Sequence, residues 1–253
     1  MVDVHSHILP NIDDGAISVD VSVRILREAA IGKFTDVICT PHFSPETQSL
    51  EDFVALRNQR FNILQKAILE QQISVKIHKG MEISFSPILI ELINYLISKN
   101  KADQINELCL AGSRYMLLEL PNLSFPIWAE RCLFDLQLRG ICPVIAHIER
   151  YSWINSQKDE LISWGQKGIV FQLNASFIYS SINRNKTKLL KFLKSNGLEY
   201  VIGSDAHDLE LRSMKPSQSL FGLDFSSNRK KNFINIEKCI ENGFNILGNY
   251  DMM

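Results

Sequence analysis

Five of the six histidines in this chain stand in four short motifs, each opening with an apolar run: His5 and His7 in VDVHSH, His42 in VICTPH, His147 in PVIAHIER and His207 in YVIGSDAH. Two more apolar runs end in carboxylates, Glu82 in KGMEI and Glu119 in YMLLEL. Aspartates complete the set, Asp13 and Asp14 in NIDDG and Asp205 in GSDAH. Neutral imidazoles and carboxylates are the donors that hold zinc, manganese or iron. Their gathering at the ends of buried segments predicts a multinuclear metal site. The His5–Ser6–His7 spacing puts two rings on one side of an extended segment, so both reach one ion. HxH alone is weak evidence; the other ligand groups give it weight.

The charge of such a site says what it would bind. Three divalent ions held by five neutral histidines and four carboxylates (Glu82, Glu119, Asp205 and one of Asp13 and Asp14) leave about +2 before any bound hydroxide. A pocket of that charge favours a phosphate dianion. A hydroxide acidified by the metals would attack, and the ions would steady the attacking and leaving oxygens. The reading is therefore a metal-dependent hydrolase.

Neighbouring residues are read in the same terms. Arg150 in HIERY and Arg212 in SDAHDLELR follow ligand histidines, where a guanidinium either clamps phosphate oxygens bidentately or forms a surface salt bridge. Glu149 supports the ligands rather than joining them, and His78, inside its run, is an ordinary strand residue. Asp3 is either a partner of a ligand histidine or a cap of the first turn. Asn174 and Ser176 read as ordinary polar strand ends. Trp153 beside Tyr151, and Phe43 and Phe85, either wall a pocket for a ring-bearing substrate or pack the interior.

The elements that must position these residues alternate. Strands are predicted at Val2–Val4, Asp36–Thr40, Val75–Ile83, Tyr115–Leu120, Cys142–His147, Ile169–Asn174 and Tyr200–Gly203. Between them lie helical patterns: Ser18–Ile31 with Ser18 as N-cap, Leu50–Glu70, Pro87–Ser98, Ile127–Leu138 ending at Gly140, Asp159–Gln166, Lys186–Ser195 and Lys231–Asn242. Apolar strands separated by helices predict an α/β fold with a parallel sheet buried on both faces. Seven such units with no dinucleotide-type glycine loop favour a barrel, whose catalytic residues sit at the C-terminal strand ends. Leu209–Ser227 reads as a long polar loop over the site.

Length and composition fit one domain over residues 1–253, with 45% hydrophobic residues for the core. Lys plus Arg number 27 against 28 Asp plus Glu, which disfavours nucleic acid as a partner. The five cysteines (Cys39, Cys109, Cys132, Cys142 and Cys239) form no CxxC pair and lie mostly in apolar runs, as free thiols of a reducing cytoplasm do. The chain opens on a strand-like VDV, so no signal peptide is expected, and no apolar run nears the roughly 20 residues of a membrane span. A cytoplasmic protein without membrane insertion is the expectation.

DVHSHILPNIDDG, TPHF, GMEI, LLEL, PVIAHIERY and GSDAH, in that order from residue 2 to about residue 212, resemble the PHP (polymerase and histidinol phosphatase) superfamily. More narrowly they are similar to its capsule-locus branch, the bacterial manganese-dependent protein tyrosine phosphatases. The resemblance implies a distorted, TIM-like (β/α)7 barrel holding three divalent ions, manganese first, with iron or zinc as alternatives. By motif, His5, His7, Glu82 and Asp205 would hold one ion, a bridging Glu82 with Glu119 and His147 a second, and His42, His207 and a DDG aspartate the third. The match favours Asp14 over Asp13, and gives Arg150 and Arg212 to phosphate contact. It implies phosphotyrosine on the tail of a membrane-anchored tyrosine autokinase as substrate, in control of capsular or exopolysaccharide synthesis. A phenolate leaves more readily than an alkoxide and needs little proton donation, and no strong general acid stands out here. TPHFSPET and PNLSFPIW depart from the branch in loops that set substrate choice. A small-molecule phosphomonoesterase of the histidinol-phosphate type and a non-catalytic, metal-stabilised binding module are the competing readings.

Overall fold

The computed structural model describes residues 1–179, 184–209 and 246. Its strands are all parallel and lie in two sheets. One has the order β1 (Val2–Ser6), β2 (Asp36–Cys39), β4 (Lys76–Lys79). The other runs β3 (His42–Phe43), β5 (Glu82–Ser84), β6 (Tyr115–Glu119), β7 (Cys142–Ile145), β8 (Val170–Asn174), β9 (Tyr200–Gly203). The helices are α1 (Val19–Ile31), α2 (Leu50–Glu70), α3 (Pro87–Ser98), α4 (Ala129–Gln137), α5 (Lys158–Gln166), α6 (Ala175–Tyr179) and α7 (Arg184–Ser195).

Local chemistry sets the boundaries. Ser18 caps α1, its hydroxyl accepting from the backbone N–H of Val21, and Ser49 caps α2 through Asp52. Pro87 starts α3 where its missing N–H costs nothing. Gly140 follows α4 at φ 77°, a left-handed stop that glycine takes without strain.

The second predicted strand ends one residue early and is followed by an unpredicted short strand, and the third is broken in two. Pro41 has no N–H to continue the ladder after β2, and the chain resumes as β3 at His42. The Val75–Ile83 run divides at Gly80, where a Cβ would stand 2.9 Å from Ile38 Cγ2. The breaks turn His42 and Glu82 from predicted strand ends into the openings of β3 and β5, which pair in register with each other. Three short 3-10 turns (Ala102–Leu108, Leu110–Gly112 and Ile148–Arg150) and α6 were not anticipated. The predicted helix Lys231–Asn242, Arg212, Cys239 and the loop beyond Leu209 lie outside the described residues.

The two sheets meet at β1 and β9. Asp205 N–H donates to the His5 carbonyl at 2.8 Å, and His7 N–H donates to the Ala206 carbonyl at 2.8 Å. Val4 of β1, Ile38 of β2, Leu117 of β6, Val144 of β7, Val170 of β8 and Val201 of β9 are buried in one apolar cluster, so both sheets line the same interior. A larger core packs α3, α4, α5 and α7 around the second sheet, and a third packs α1 and α2 against β2. Cys39, Cys109 and Cys132 are buried free thiols and Cys142 is half-buried.

Candidate metal centre

The predicted ligands among the described residues gather where strands end or open, His42 and Glu82 at the openings of β3 and β5 and the others at or beyond strand ends. His5 is next to last in β1 and His7 lies just past it; Glu119 ends β6; His147 follows β7; Asp205 and His207 follow β9. Two of these turns need left-handed backbone in non-glycine residues, His147 at φ 28° and Asp205 at φ 53°. Such conformations persist where surrounding structure enforces them, often at functional sites.

Glu82 is the hub and is completely buried. Its Oε2 stands 3.0 Å from His42 Nδ1 and 3.2 Å from Nε2 of both His5 and His7, while Oε1 is 2.9 Å from His147 Nε2. Asp205 Oδ1 is 3.6 Å from Nε2 of His5 and of His7. Asp14 Oδ1 lies 3.4 Å from His42 Nε2 and 3.3 Å from His207 Nε2. Glu119 Oε1 is 3.5 Å from His147 Nε2. Three compact donor groups result: His5, His7 and Asp205; His42, Glu82 and Glu119; and His7, Asp14, His42 and His207. Compared with the expected ligand sets, His7 and His42 each serve two groups.

The two aspartates of DDG part company. Asp13 Oδ2 accepts from His7 Nδ1 at 2.7 Å and from the His42 backbone N–H at 3.1 Å, and Oδ1 accepts from Gly15 N–H at 3.0 Å. Asp13 thus orients the His7 ring, and Asp14 reaches the cluster. Gly15 is required by this loop, since a Cβ there would lie 2.1 Å from the His7 carbonyl oxygen.

Around the donors runs a supporting layer. Gln172 Oε1 is 2.9 Å from His5 Nδ1 and accepts from the His147 backbone N–H at 2.7 Å. Asn174 Nδ2 and Arg150 Nη1 donate to Asp205 Oδ2 at 2.9 and 2.8 Å. Arg150 remains 41% exposed, at the rim of the centre. Glu149 Oε1 accepts from the Asn174 backbone N–H, as a supporting residue should. Asp3 accepts from the His5 backbone N–H at 3.3 Å and from the Ser204 N–H at 2.7 Å and hydroxyl at 2.6 Å, anchoring the segment that carries Asp205 to the one that carries His5. Trp153 stacks on Tyr151 at 4.9 Å and donates to the Pro121 carbonyl, so both pack the interior. Phe43 and Phe85 are buried too, Ser176 is exposed, and His78 bonds Asp36 at 2.8 Å, away from the cluster. Gln172 escaped the sequence reading, although a glutamine inside the apolar run IVFQLN was the available signal.

The electrostatics call for positive charge at the centre. Burial alone would lower the His5 pKa, but Glu82 and Asp205 outweigh it and hold the ring at about 9. Burial is likewise outweighed at His7 by Asp13 and Glu82, giving about 10. Glu82 stays well below the ordinary range despite burial, held by His5, His147 and His42, and Asp13 falls to about 2 through His7. Burial, then Glu82, raises Glu119.

The donor set fits divalent metal. His5 and His7 each direct Nδ1 toward an acceptor, which leaves their Nε2 lone pairs facing one another 3.0 Å apart across from Glu82 Oε2. Only a cation relieves that arrangement: protons below the raised pKa values of the two rings, or a metal whose ligands must be deprotonated.

Comparison with known proteins gives one direction. Residues 1–224 match the family model described as capsular polysaccharide synthesis, CpsB/CapC. A Staphylococcus aureus protein named as a candidate tyrosine-protein phosphatase, CapC, is 32% identical over 251 residues, covering 98% of this chain and 92% of the relative. Tyrosine-protein phosphatase YwqE of Bacillus subtilis is 28% identical over 225 residues, covering 88% and 84%. A solved chain from the work on YwqE of Bacillus subtilis and CpsB of Streptococcus pneumoniae, described as metal-dependent tyrosine phosphatases, superposes with a TM-score of 0.80 at 28% identity, covering 98% and 95%.

Proposed function

Because the chain belongs to the CpsB/CapC family of capsular polysaccharide synthesis, we propose that it is a metal-dependent protein tyrosine phosphatase acting on a phosphotyrosine-bearing protein. The carrying observation is the buried Glu82 hub, whose two oxygens face the rings of His5, His7, His42 and His147. His5, His7, Glu82 and Asp205 would hold one ion; Glu82, Glu119 and His147, joined by His42, a second; and His42, His207 and Asp14 a third. Manganese suits this nitrogen and oxygen set, with iron or zinc as alternatives. When bound, the ions supply acidified water and positive charge for the phosphate oxygens.

The remaining work falls to the chain itself. Arg150, fixed to Asp205 at its inner end and exposed at the rim, offers its guanidinium to a phosphate oxygen. Arg212 is assigned the same role from its motif. Glu82 and Asp205, already ionised, keep the rings around them positioned, and the buried walls limit water. No proton donor is required of the protein when tyrosine leaves, because its oxygen is far less basic than an alkoxide.

We read the two sheets of the described residues as one distorted, interrupted (β/α)7 barrel, supported by the β1–β9 hydrogen bonds and the shared interior cluster, within a single domain assigned from the sequence to residues 1–253. No described helix is long and apolar enough to cross a membrane. The proposed setting is cytoplasmic, with the tail of a membrane-anchored tyrosine autokinase as substrate.

The test is phosphate release from a tyrosine-phosphorylated peptide and from histidinol phosphate, with manganese and with chelator. Preference for the peptide, lost on chelation, is expected. Turnover of histidinol phosphate alone, or activity that ignores the chelator, would overturn the reading.

A further inference from the structure

One buried hydrogen-bonded chain connects four elements behind the metal centre, and a single backbone group fixes its direction. The N–H of His147 can only donate, and it points at the Gln172 side-chain amide at 2.7 Å, so the oxygen of that amide must face it. The same oxygen lies 2.9 Å from His5 Nδ1, which must therefore carry the proton. The Gln172 Nε2 end is left to donate to Asn174 Oδ1 at 2.9 Å, and Asn174 Nδ2 then donates to Asp205 Oδ2 at 2.9 Å. Each amide has its orientation dictated by the one before it. Gln172, His5 and Asp205 are buried, as is Asn174, so water does not compete for these bonds. The chain has been given room: a Cβ on Gly203 would stand 2.5 Å from His5 Cβ and 3.0 Å from Gln172 Nε2.

We propose that Gln172 and Asn174 are positioning residues that set the His5 tautomer and the Asp205 carboxylate as a unit, so that His5 Nε2 and Asp205 Oδ1 present lone pairs to the same ion. The inference rests on the metal-dependent reading above. The alternative tautomer of His5 would place a proton on Nε2, pointing at the His7 ring and away from ligation. Gln172 blocks it because its oxygen has nothing to donate. The bond to His147 N–H also helps hold that residue at φ 28°, so one side chain steadies two ligands from β1 and β7.

The probe is zinc, which is diamagnetic, followed by nitrogen NMR of the histidine rings and by competition with a chelator. In the wild-type protein His5 is expected to bind zinc through Nε2 and to show a slowly exchanging Nδ1 proton. Ligation through Nδ1, an Nε2 proton on His5, or no zinc bound at all overturns the proposal without any variant having to fold. Gln172→Met keeps the shape and removes both polar ends. It should lose about 10- to 100-fold in affinity for one ion and the protected Nδ1 proton. Gln172→Glu keeps the acceptor, so it should recover that proton while weakening the link to Asn174. Asn174→Leu should weaken zinc binding with the His5 proton retained. Unchanged zinc affinity and an unchanged His5 signal in Gln172→Met overturn the proposal. A wild-type protein with the expected zinc signature and no action on a phosphotyrosine peptide would overturn the proposed function and leave this inference standing.

Discussion

Asp13 and Asp14 adjoin in the chain and do different things. Asp13 orients His7, while Asp14 approaches His42 and His207. His7 stands in two donor groups, so His7→Ala removes a ligand from both. Turnover of a phosphotyrosine peptide by His7→Ala, and by Asp205→Ala, should be abolished, and metal analysis should show at least one ion lost. Activity near wild type in either variant would sink the metal-hydrolase reading. Arg150→Ala is a different experiment. Asn174 still holds Asp205 after the guanidinium is gone, so metal content should stay constant while KM rises and kcat falls. Loss of metal in that variant would mean that Arg150 serves Asp205 rather than phosphate.

Elements place these groups by close approach, and the glycines of the strand-end turns make the approach possible. Gly203 closes β9 against β1, with His5 Cβ where its own side chain would be. Gly203→Ala should destabilise by about 1–3 kcal/mol, as overpacking does. A calorimetric scan should find Tm lower by several degrees, since about 1 kcal/mol moves a domain of this size by about 2–4 °C. Metal affinity should fall with it, because the intruding methyl moves the His5 ring. An unchanged Tm and unchanged metal affinity would mean that β1 and β9 adjust freely. The strand breaks belong to this scale as well. Pro41 and Gly80 were plain in the sequence, yet the predicted Val75–Ile83 strand ran across Gly80 and no strand was predicted to resume after Pro41. Only the neighbouring strands decide whether a ladder survives a missing donor or a close crossing.

For the whole molecule, the centre ties stability to pH. His5 at about 9 and His7 at about 10 are raised above the ordinary imidazole value near 6.5. In the metal-free protein their contribution is complete below about pH 6.5 and disappears as pH rises through those values. Metal reverses the sign, since each ligand ring must give up its proton to bind. The Tm gained on adding manganese should therefore be larger at pH 8 than at pH 6, and calorimetric titration in two buffers should detect protons released on binding. A pH-independent gain would place the metal away from His5 and His7.

The sequence by itself determined the alternation of strands and helices, the cap at Ser18, and the set of candidate donors, because each depends on residue types a few positions apart. Burial of the donors together was implied by the apolar run before each motif. Tertiary structure decided which aspartate of DDG faces the cluster, that Arg150 leans on Asp205, and that Trp153 packs instead of walling a pocket. It also decided the role of Gln172, 167 positions away from His5 along the chain. The physical reason is the same in each case. A hydrogen bond or a metal donor group is satisfied by geometry over about 3 Å, and the partners that meet at that range come from strands whose order the chain writes only by folding.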